Sequence, residues 1–408
     1  MPDSSSIALA TWALFAGLAL LLGASGVFTT LIGVRAELDG FSDAQIGLVT
    51  AGYFAGFIVG ARLASAAISR VGHIRVYTAL AAILTAAIVA SGMLTGPWWW
   101  LGLRFVAGAC LAGQYVGAES WLNQLTTNET RGRLLSIYLV VSVVAFGIGQ
   151  VGFGLLDPKA LTGFGVAAIL ASLAVVPVAL SVDAAPPPIR ERLHVGLRQM
   201  WATVPTGMVT SVLVGVTHGA FIGLGAVYAT RVGLSAAMVG VFVAMPTVGN
   251  LLMSVPVASA SDRVDRRIVG AIAALFAAGA ALVLVQVEPD SIMGLACMVV
   301  IGGTTYPLYS IAGAYTTDKI PPAQMTAVAG QLVLLYGVGA MIGPLLGSAA
   351  MSQSVDGYIW TTLVAHAAIA VFLMVRVVQY PDRHQRTHAV QLDGVTGELP
   401  VTAGRRFD

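Results

Sequence analysis

The sequence predicts an all-α polytopic membrane protein, with twelve transmembrane helices in two pseudo-symmetric six-helix bundles. Hydrophobic residues make up 57% of the 408 residues and charged residues only 10%, whereas a soluble chain carries about 25% charged residues. Twelve apolar segments can be counted, each near the roughly 20 residues that cross ~30 Å of hydrocarbon. Basic loop motifs also recur about half a chain apart, after span 2 and after span 8. Because such segments must satisfy their own backbone polar groups, each is predicted to be a helix.

The twelve predicted spans follow one another with short polar breaks. They cover residues 8–34, 44–69, 75–95, 97–121, 134–156, 161–181, 204–229, 235–260, 268–286, 291–316, 324–350 and 358–380. A membrane barrel would instead show short alternating segments. Cys110 and Cys297 both lie in apolar segments and offer neither a disulfide framework nor metal-ligand spacing. We therefore expect no metal and no cofactor.

Basic residues predict how the chain is oriented. With the N-terminus inside, sixteen Lys and Arg residues fall in cytoplasmic segments, and three, Arg35, Lys159 and Arg231, fall in outer loops. Cytoplasmic loops carry this excess in membrane proteins. The small net charge of +2 gives no indication of nucleic-acid binding. We expect a multi-pass protein of the bacterial inner membrane, in contact with lipid, with both termini in the cytoplasm.

The longest internal polar break divides the spans into two groups of six. It contains the run Pro186-Pro187-Pro188, which makes a stiff start to a linker. A short amphipathic helix on the membrane surface is predicted at 193–201. The predicted organisation is an N-terminal bundle at 1–182, a cytoplasmic linker at 183–203, a C-terminal bundle at 204–380 and a disordered cytoplasmic tail at 381–408.

The two groups of spans share basic loop motifs. Ser69-Arg70-Val71-Gly72-His73-Ile74-Arg75 follows span 2, and Asp262-Arg263-Val264-Asp265-Arg266-Arg267 follows span 8. Arg70 and Arg263 are 193 residues apart (263 − 70). A repeat of six spans plus six is typical of one class of secondary transporters.

These loops, together with Arg-x-x-x-Gly in span 4 (Arg104 and Gly108) and Arg-Gly-Arg at 131–133, resemble the major facilitator superfamily over roughly residues 8–380. The motifs at 70–75 (Arg-x-Gly-His-x-Arg), 119–123 (Glu-Ser-Trp-Leu-Asn) and 306–310 (Tyr-Pro-Leu-Tyr-Ser) are similar to the YcaD-like permeases. The resemblance implies a transporter whose spans 1, 4, 7 and 10 line a central cavity. It also places spans 5 and 11 where the two halves meet. Asp265 departs from the superfamily pattern, which usually has glycine at that position.

Span 4 places charged and polar residues on one helical face. Arg104, Tyr115 and Glu119 fall within about 60° of one another at 100° per residue. Arg104 and Glu119 are 15 residues apart (119 − 104), or roughly 22 Å along the axis, so they cannot pair. The face therefore offers two separate charged positions.

Glu119 is the candidate proton carrier, because a carboxyl group away from bulk water holds its proton closer to neutral pH. The alternative is a permanent ion pair with Arg75, Arg131 or Arg133. For Arg104 two roles stay open, binding of an anionic substrate group and ordering of its helix against span 1. The resemblance adds a third, a part in proton transfer.

Spans 7 and 10 supply the other candidate binding residues. His218 lies near the middle of span 7, at the expected binding depth, although a lone buried histidine is more often structural. Pro307 removes a backbone hydrogen bond in span 10, which predicts a broken helix near the midplane. Such a break presents the side chains of Thr304, Thr305, Tyr306 and Tyr309. The alternative is a packing kink, and His366 in span 12 is expected to be structural.

The basic loops and a glycine-rich face predict how the halves move. The loops either hold positive charge inside or form a conformational latch that stabilises an outward-open state. The latch residues are Arg70, Gly72, Arg75, Arg131, Asp262, Arg263 and Arg266. Spans 5 and 11 carry small residues that permit close backbone contact. They are Gly147, Gly149, Gly152, Gly154, Gly337, Gly339, Gly343 and Gly347.

These features predict a monomeric secondary active transporter that moves a small organic or amphipathic solute by alternating access. No nucleotide-binding loop of the Gly-x-x-x-x-Gly-Lys type is present, which favours protons as the coupling ion. Passive facilitation, with a structural Glu119, is the alternative. A membrane enzyme is disfavoured because the spans contain no Ser/His/Asp set, paired carboxylates or metal cluster. A scaffold protein is disfavoured because the loops are short.

Overall fold

The computed structural model describes residues 4–126, 130–181 and 195–380, and the regular structure of these residues is helical. The helices are α1 (Ser4–Leu38), α2 (Asp43–Val71), α3 (His73–Met93), α4 (Pro97–Leu125), α5 (Arg131–Phe153), α6 (Thr162–Leu173), α7 (Val175–Ala179), α8 (Leu197–Thr203), α9 (Pro205–Arg231), α10 (Ala236–Arg263), α11 (Arg266–Leu284), α12 (Ile292–Thr317), α13 (Met325–Met351) and α14 (Gly357–Gln379). A 3₁₀ turn, Pro322–Gln324, precedes α13.

The twelve predicted spans correspond to α1–α5, to α6 and α7 together, and to α9–α14. Eleven of them, within the described residues, are long and apolar enough to cross a membrane. The remaining one is α4, which has 29 residues but contains buried Arg104 and Gln114 together with Glu119. α4 is therefore as long as the other spans but less apolar, because of these polar side chains.

Proline accounts for the one interrupted span. α6 ends at Leu173, and α7 begins at Val175. Pro177 has no N–H to donate to the carbonyl of Leu173, so the regular helix is broken just before it. In contrast, α12 continues unbroken through Pro307. The predicted break in span 10 is therefore wrong.

The predicted surface helix is present in part, as α8. Its Met200 is buried and packs with residues of α9 and α13, whereas Trp201 is exposed. α8 thus belongs to the C-terminal half. Residues 182–194 of the predicted linker and the predicted tail at 381–408 lie outside the described residues, and the predicted domain boundaries stay predictions.

Close packing within each half depends on glycine. In the N-terminal half α2 packs on α4, where a Cβ on Gly56 would collide with the Phe105 carbonyl. In the C-terminal half α9 packs on α13, where a Cβ on Gly219 would collide with the Ala340 backbone. Small residues allow two helix backbones to approach each other in this way.

The two halves meet mainly along four helix pairs, α1 with α9, α2 with α9, α2 with α13 and α5 with α10. Because the spans alternate in direction, the start of α1, the end of α14 and the basic loops lie at one end of the bundle. We call this the basic end, defined by Arg70, Arg75, Arg131, Arg263 and Arg266. The other end, where α1 and α9 finish, carries Glu37, Asp43 and Arg231. We call these three residues the clasp, and their end the clasp end.

The glycine-rich face predicted in spans 5 and 11 has a mixed role. A Cβ on Gly147 would meet Thr247, one on Gly154 would meet Ala237, and one on Gly337 would meet Ile58, all in the other half. Four glycines pack within their own halves, namely Gly149 against Gly23, Gly339 against Val212, Gly343 against Val216 and Gly347 against Leu224. A Cβ on Gly152 has no neighbour within 4 Å, so its predicted place on the moving surface is wrong.

Candidate functional site

Three tyrosines and a histidine of the C-terminal half come together at mid-depth. The His218 Nδ1 atom lies 2.8 Å from the Tyr336 hydroxyl. Its ring is 4.3 Å, edge to face, from the ring of Tyr306. The ring of Tyr309 lies 4.9 Å from that of Tyr336. His218 is 7% exposed, and its Nε2 atom has no hydrogen-bond partner. One ring nitrogen of His218 is therefore buried without a partner in this conformation.

The N-terminal half contributes a facing set of tyrosines. Tyr115 of α4 lies near Tyr53 of α2 in its own half and near Tyr306 of α12 across the boundary. Tyr336 likewise lies near Tyr53 and Tyr115. Tyr53, Tyr115, Tyr306 and Tyr336 are each half-buried in this conformation. We call Tyr53, Tyr115, Tyr138, His218, Tyr306, Tyr309 and Tyr336 the central cluster.

Glu119 lies at the edge of the central cluster that is nearer to the basic end. Its Oε1 atom accepts a hydrogen bond from the Tyr138 hydroxyl at 3.3 Å. It is exposed, and it interacts electrostatically with Tyr309 of the other half. Within the described residues it forms no ion pair with an arginine, so the alternative of a permanent pair finds no support in this conformation.

Arg104 lies closer to the clasp end and is 3% exposed. Its Cζ atom is 4.4 Å from the ring centroid of Tyr53 and 5.4 Å from that of Phe28. Arg104 therefore contacts the central cluster through Tyr53. It also contacts α1 through Phe28, as expected for a residue that orders span 4 against span 1.

The two threonines of α12 are occupied by internal hydrogen bonds. Thr304 donates to the carbonyl of Val300 at 2.8 Å. Thr305 lies 2.5 Å from the carbonyl of Ile301 and 2.7 Å from His366 Nε2. His366 Nδ1 is 2.7 Å from the carbonyl of Thr362. His366 is buried with both ring nitrogens bonded, which fits the structural role expected for it.

α12 remains continuous because α10 packs closely against its weak segment. A Cβ on Gly302 would collide with the Pro246 backbone of α10, and one on Gly303 would crowd Gly249 and Met253. The paired glycines thus permit helix contact instead of breaking the helix. Pro307 costs α12 one backbone bond, and its neighbours hold the helix straight enough to continue.

Three of the predicted latch residues, Arg131, Asp262 and Arg266, form side-chain bonds within their own halves in this conformation. Arg131 donates to Asn123 at 2.8 Å. Arg266 pairs with Asp262 at 2.9 Å and with Asp318 at 2.7 Å, all in the C-terminal half. Gly72 has a φ of +89°, which favours glycine, and it forms the tight turn between α2 and α3. The side chains of Arg70, Arg75 and Arg263 are exposed.

Ion pairs between the halves, among the described residues, are found in the clasp. Arg231 of α9 binds Glu37 of α1 at 2.6 Å and Asp43 of α2 at 2.8 Å. Near the same end, Arg35 pairs with Asp39 at 2.8 Å and donates to the Lys159 carbonyl. Two of the three outer basic residues are thus neutralised by acids.

A second paired arginine lies beside the predicted latch. Asp265 accepts hydrogen bonds from the Arg267 side chain at 2.6 Å and 3.0 Å and from its backbone N–H at 2.9 Å. Burial alone would raise the pKa of Asp265, but the bonds from Arg267 prevail and hold that pKa below its ordinary value. The residue that departs from the superfamily glycine is therefore the N-cap of α11.

The sequence did not indicate Tyr53, Tyr138 and Tyr336 as site residues. Each is a single tyrosine in an apolar helix, and the sequence does not show which side of that helix faces the site. It also missed the clasp, although acids at the adjoining ends of α1 and α2 were a usable signal. No group of three or more His, Cys, Asp or Glu residues placed to hold a metal occurs in the part of the chain that the structure describes.

Comparison with known proteins agrees with this architecture. The family model for the Major Facilitator Superfamily matches residues 7–344 and 207–403. YcaD, an uncharacterized MFS-type transporter of Escherichia coli O7:K1 (strain IAI39 / ExPEC), is 28% identical over 373 residues, which cover 89% of this chain and 94% of YcaD. An uncharacterized MFS-type transporter of Enterobacter sp. (strain 638) is 26% identical over 378 residues, with the same coverage.

Solved transporter structures share the fold. A variant of the nucleoside transporter NupG superposes with a TM-score of 0.77 at 11% identity, covering 91% of this chain and 100% of that chain. A bacterial homologue of the lysosomal transporter Spinster, in an inward-facing and occupied conformation, gives 0.71 at 17% identity, covering 92% and 96%. A D-xylose–proton symporter gives 0.67 at 15% identity, covering 90% and 97%. The chain therefore belongs to the major facilitator superfamily of multi-pass membrane transporters and is similar to YcaD.

Proposed function

We propose that this protein is a secondary active transporter that moves a small organic or amphipathic solute by alternating access, driven by protons. The observation that carries the proposal is the central cluster, in which tyrosines of both halves and His218 come together at mid-depth. A solute bound there contacts both halves at once. Its binding can therefore bias the equilibrium between conformations that bind it differently.

The contacts between the halves support a conformation that is closed at the clasp end. Gly33 packs against Ala226, and Gly154 lies against Ala237, both close to the clasp end. At the basic end, the bonds of Arg131, Asp262 and Arg266 stay within their own halves. Because basic loops face the cytoplasm, we infer an inward-open state of a bacterial inner-membrane protein, with both termini inside. We further infer that the protein acts as a monomer in the lipid bilayer.

Glu119 is the proposed proton site. It is exposed to the space between the halves, it receives a hydrogen bond from Tyr138, and it acts electrostatically on Tyr309 of the other half. The carboxyl group of Glu119 is negatively charged when it is deprotonated and neutral when it is protonated. Charge on Glu119 therefore changes the energy of bringing the two halves together.

The class of solute is suggested by the lining. Half-buried aromatic side chains predominate in the central cluster, and fixed charges are few. The structural relatives include a nucleoside transporter and a D-xylose–proton symporter, whose solutes are small organic molecules. Because these proteins resemble this chain in fold, they support a small organic solute. The identity of the solute has to be determined by experiment.

The test is flux into liposomes that contain the purified protein, with a labelled panel of metabolites and drugs, with and without a pH gradient. We expect accumulation only when the gradient is imposed. Glu119→Gln should abolish gradient-driven accumulation and leave solute exchange intact. Glu288→Gln, in the loop after α11, is the matched control and should behave like wild type.

Passive facilitation is the alternative. In that case Glu119→Gln would leave accumulation ratios unchanged, and an imposed pH gradient would not raise them. Gradient-driven accumulation by the Gln variant would overturn the role of Glu119 while leaving transport itself in place.

A further inference from the structure

Arg104 and Arg267 are the two buried arginines of the described residues, with 3% and 2% exposure. The two differ in what surrounds them. Arg267 has a full set of partners, with Asp265 binding it through both carboxylate oxygens and the carbonyls of Arg376 and Tyr380 accepting from Nη1 at 3.0 Å and 2.7 Å. Nothing comparable surrounds Arg104.

No carboxylate in the described part of the chain pairs with Arg104. Its contacts are the faces of the Tyr53 and Phe28 rings, and its Nε–H is buried without a hydrogen-bond partner. The guanidinium therefore carries its charge, in a membrane helix, with cation–π contacts alone.

Cation–π contacts leave the hydrogen-bonding capacity of a guanidinium unused. A guanidinium has five N–H donors in its own plane, and an aromatic face offers no in-plane acceptor. A buried charge without a partner is strongly unfavourable. The site is thus completed by a group that brings both negative charge and paired acceptor oxygens, which is what a carboxylate provides.

The surroundings of Arg104 indicate what the rest of that molecule is. The ring centroid of Tyr53 lies 6.4 Å from that of Phe57, and the centroid of Phe57 lies 6.4 Å from that of Tyr115. These rings run from Arg104 into the central cluster. They fit an apolar or aromatic body, and the single cation fits a single negative charge.

We propose that Arg104 binds the carboxylate of the transported solute, and that this solute is a monoanionic organic acid with an apolar or aromatic body. The proposal rests on the proposed transport function and names its substrate class. The acid group lies towards the clasp end, and the body lies along Tyr53, Phe57 and Tyr115. Binding of the acid supplies the counter-charge that Arg104 lacks in the protein itself.

Equilibrium binding to the purified protein in detergent tests this without any transport step. The probes are matched acids and amides, phenylacetate against phenylacetamide and indole-3-acetate against indole-3-acetamide, measured by titration calorimetry. We expect at least one acid to bind roughly tenfold or more tightly than its amide. Arg104→Gln should remove that preference, and Arg104→Lys should retain part of it. The control Arg35→Gln, at the clasp end, should keep the full preference.

Equal binding of every acid and its amide, or a preference that survives in Arg104→Gln, would overturn the proposal. Transport of a neutral solute by both wild type and Arg104→Gln would overturn it as well, while leaving the transport function in place. Acid binding through Arg104 in a protein that moves no solute in liposomes would have the opposite meaning. It would support the site and contradict transport.

Thermal stability without solute gives a second, independent readout. An unpaired buried arginine that serves only to bind solute destabilises the protein when no solute is bound. Arg104→Met should therefore raise the melting temperature of the solute-free protein by about 2 °C or more. Arg267→Met is the matched control and should lower it, because Asp265 and two carbonyls lose their partner. A fall in both variants would show that Arg104 is structural and would overturn the proposal.

Discussion

Arg231 of α9 and Glu37 of α1 form a two-point ion pair, with Nη2 2.6 Å from Oε2 and Nε 3.0 Å from Oε1. The two residues are 194 apart in sequence and belong to different halves. Asp43 of α2 binds the same guanidinium at 2.8 Å. These side chains are about one-fifth exposed, so water screens them only in part. The clasp therefore stabilises closure at this end.

Glu37→Gln should weaken that closure. Loss of one charged, two-point contact in a partly exposed site removes about 1 kcal/mol, or roughly a fivefold shift towards opening at the clasp end. Distances between spin labels on the α1–α2 and α9–α10 loops measure the shift. Asp39→Asn is the control, since Asp39 pairs with Arg35 on its own helix. An unchanged distance distribution in Glu37→Gln would contradict a role for the clasp.

Gly154→Ala should slow turnover, whereas Gly152→Ala should not. A Cβ on Gly154 would lie 2.7 Å from the Cα atom of Ala237 in the other half, and a backbone atom cannot rotate away. We expect about 1–3 kcal/mol of strain in the closed state. A Cβ on Gly152 meets nothing within 4 Å. Equal turnover in the two variants, measured in liposomes, would show that α5 and α10 do not need this close contact.

Asp265→Asn should destabilise the protein much more than Asp262→Asn. Asp265 is 10% exposed and holds buried Arg267, whereas Asp262 is 68% exposed. Breaking a buried pair costs about 3 kcal/mol, and an exposed pair contributes about 0.5 kcal/mol. Denaturation in detergent at neutral pH measures both. Equal losses would contradict this ranking.

The effect of Asp265→Asn also depends on pH. The pKa of Asp265 is held below its ordinary value of 3.8 because the bonds from Arg267 outweigh burial. A lowered pKa contributes stability that is complete above the ordinary value and is lost as pH falls through the lowered one. The difference in free energy of unfolding between wild type and Asp265→Asn should therefore be constant from pH 7 to about 5 and shrink below about pH 4.

Two of the buried histidines, His218 and His366, should respond differently to the same substitution. His218→Leu removes one bond to Tyr336 and one unpartnered nitrogen of the central cluster, so solute affinity should fall roughly tenfold, with a smaller change in melting temperature than in His366→Leu. His366→Leu removes bonds to Thr305 and Thr362, so the melting temperature should fall and affinity should change less. Affinity for the solute found in the liposome screen and thermal unfolding separate the two effects. The opposite result would mean that His366 binds solute and that His218 is structural.

The spans were predictable because each is a long and mostly apolar segment, which is what a membrane-crossing helix requires. All twelve predicted spans have a counterpart, and the ends differ by a few residues where polar turns continue the helix, as at Arg131. The predicted break at Pro307 failed because sequence shows the lost hydrogen bond but not the neighbour that compensates. α10, packed against Gly302 and Gly303, is that neighbour.

The candidate site was predictable only where a residue is unusual for its surroundings. Arg104, Glu119 and His218 are conspicuous in apolar helices, and all three lie in or beside the central cluster. Tyr53 and Tyr336 are ordinary in such helices. Their importance comes from contacts between segments far apart in the chain, which single-sequence periodicity does not contain.

The polarity of α4 also has a consequence for biosynthesis. A helix that carries Arg104, Gln114 and Glu119 gains less from entering lipid than its neighbours do, since each central charge costs about 2.5–3.5 kcal/mol on insertion scales. α2, which packs along it, leaves the ribosome first. We expect α4 to be retained in the bilayer by docking on α2, so that damage to the Gly56 and Gly60 groove gives a chain that inserts incompletely and is degraded before any solute is met.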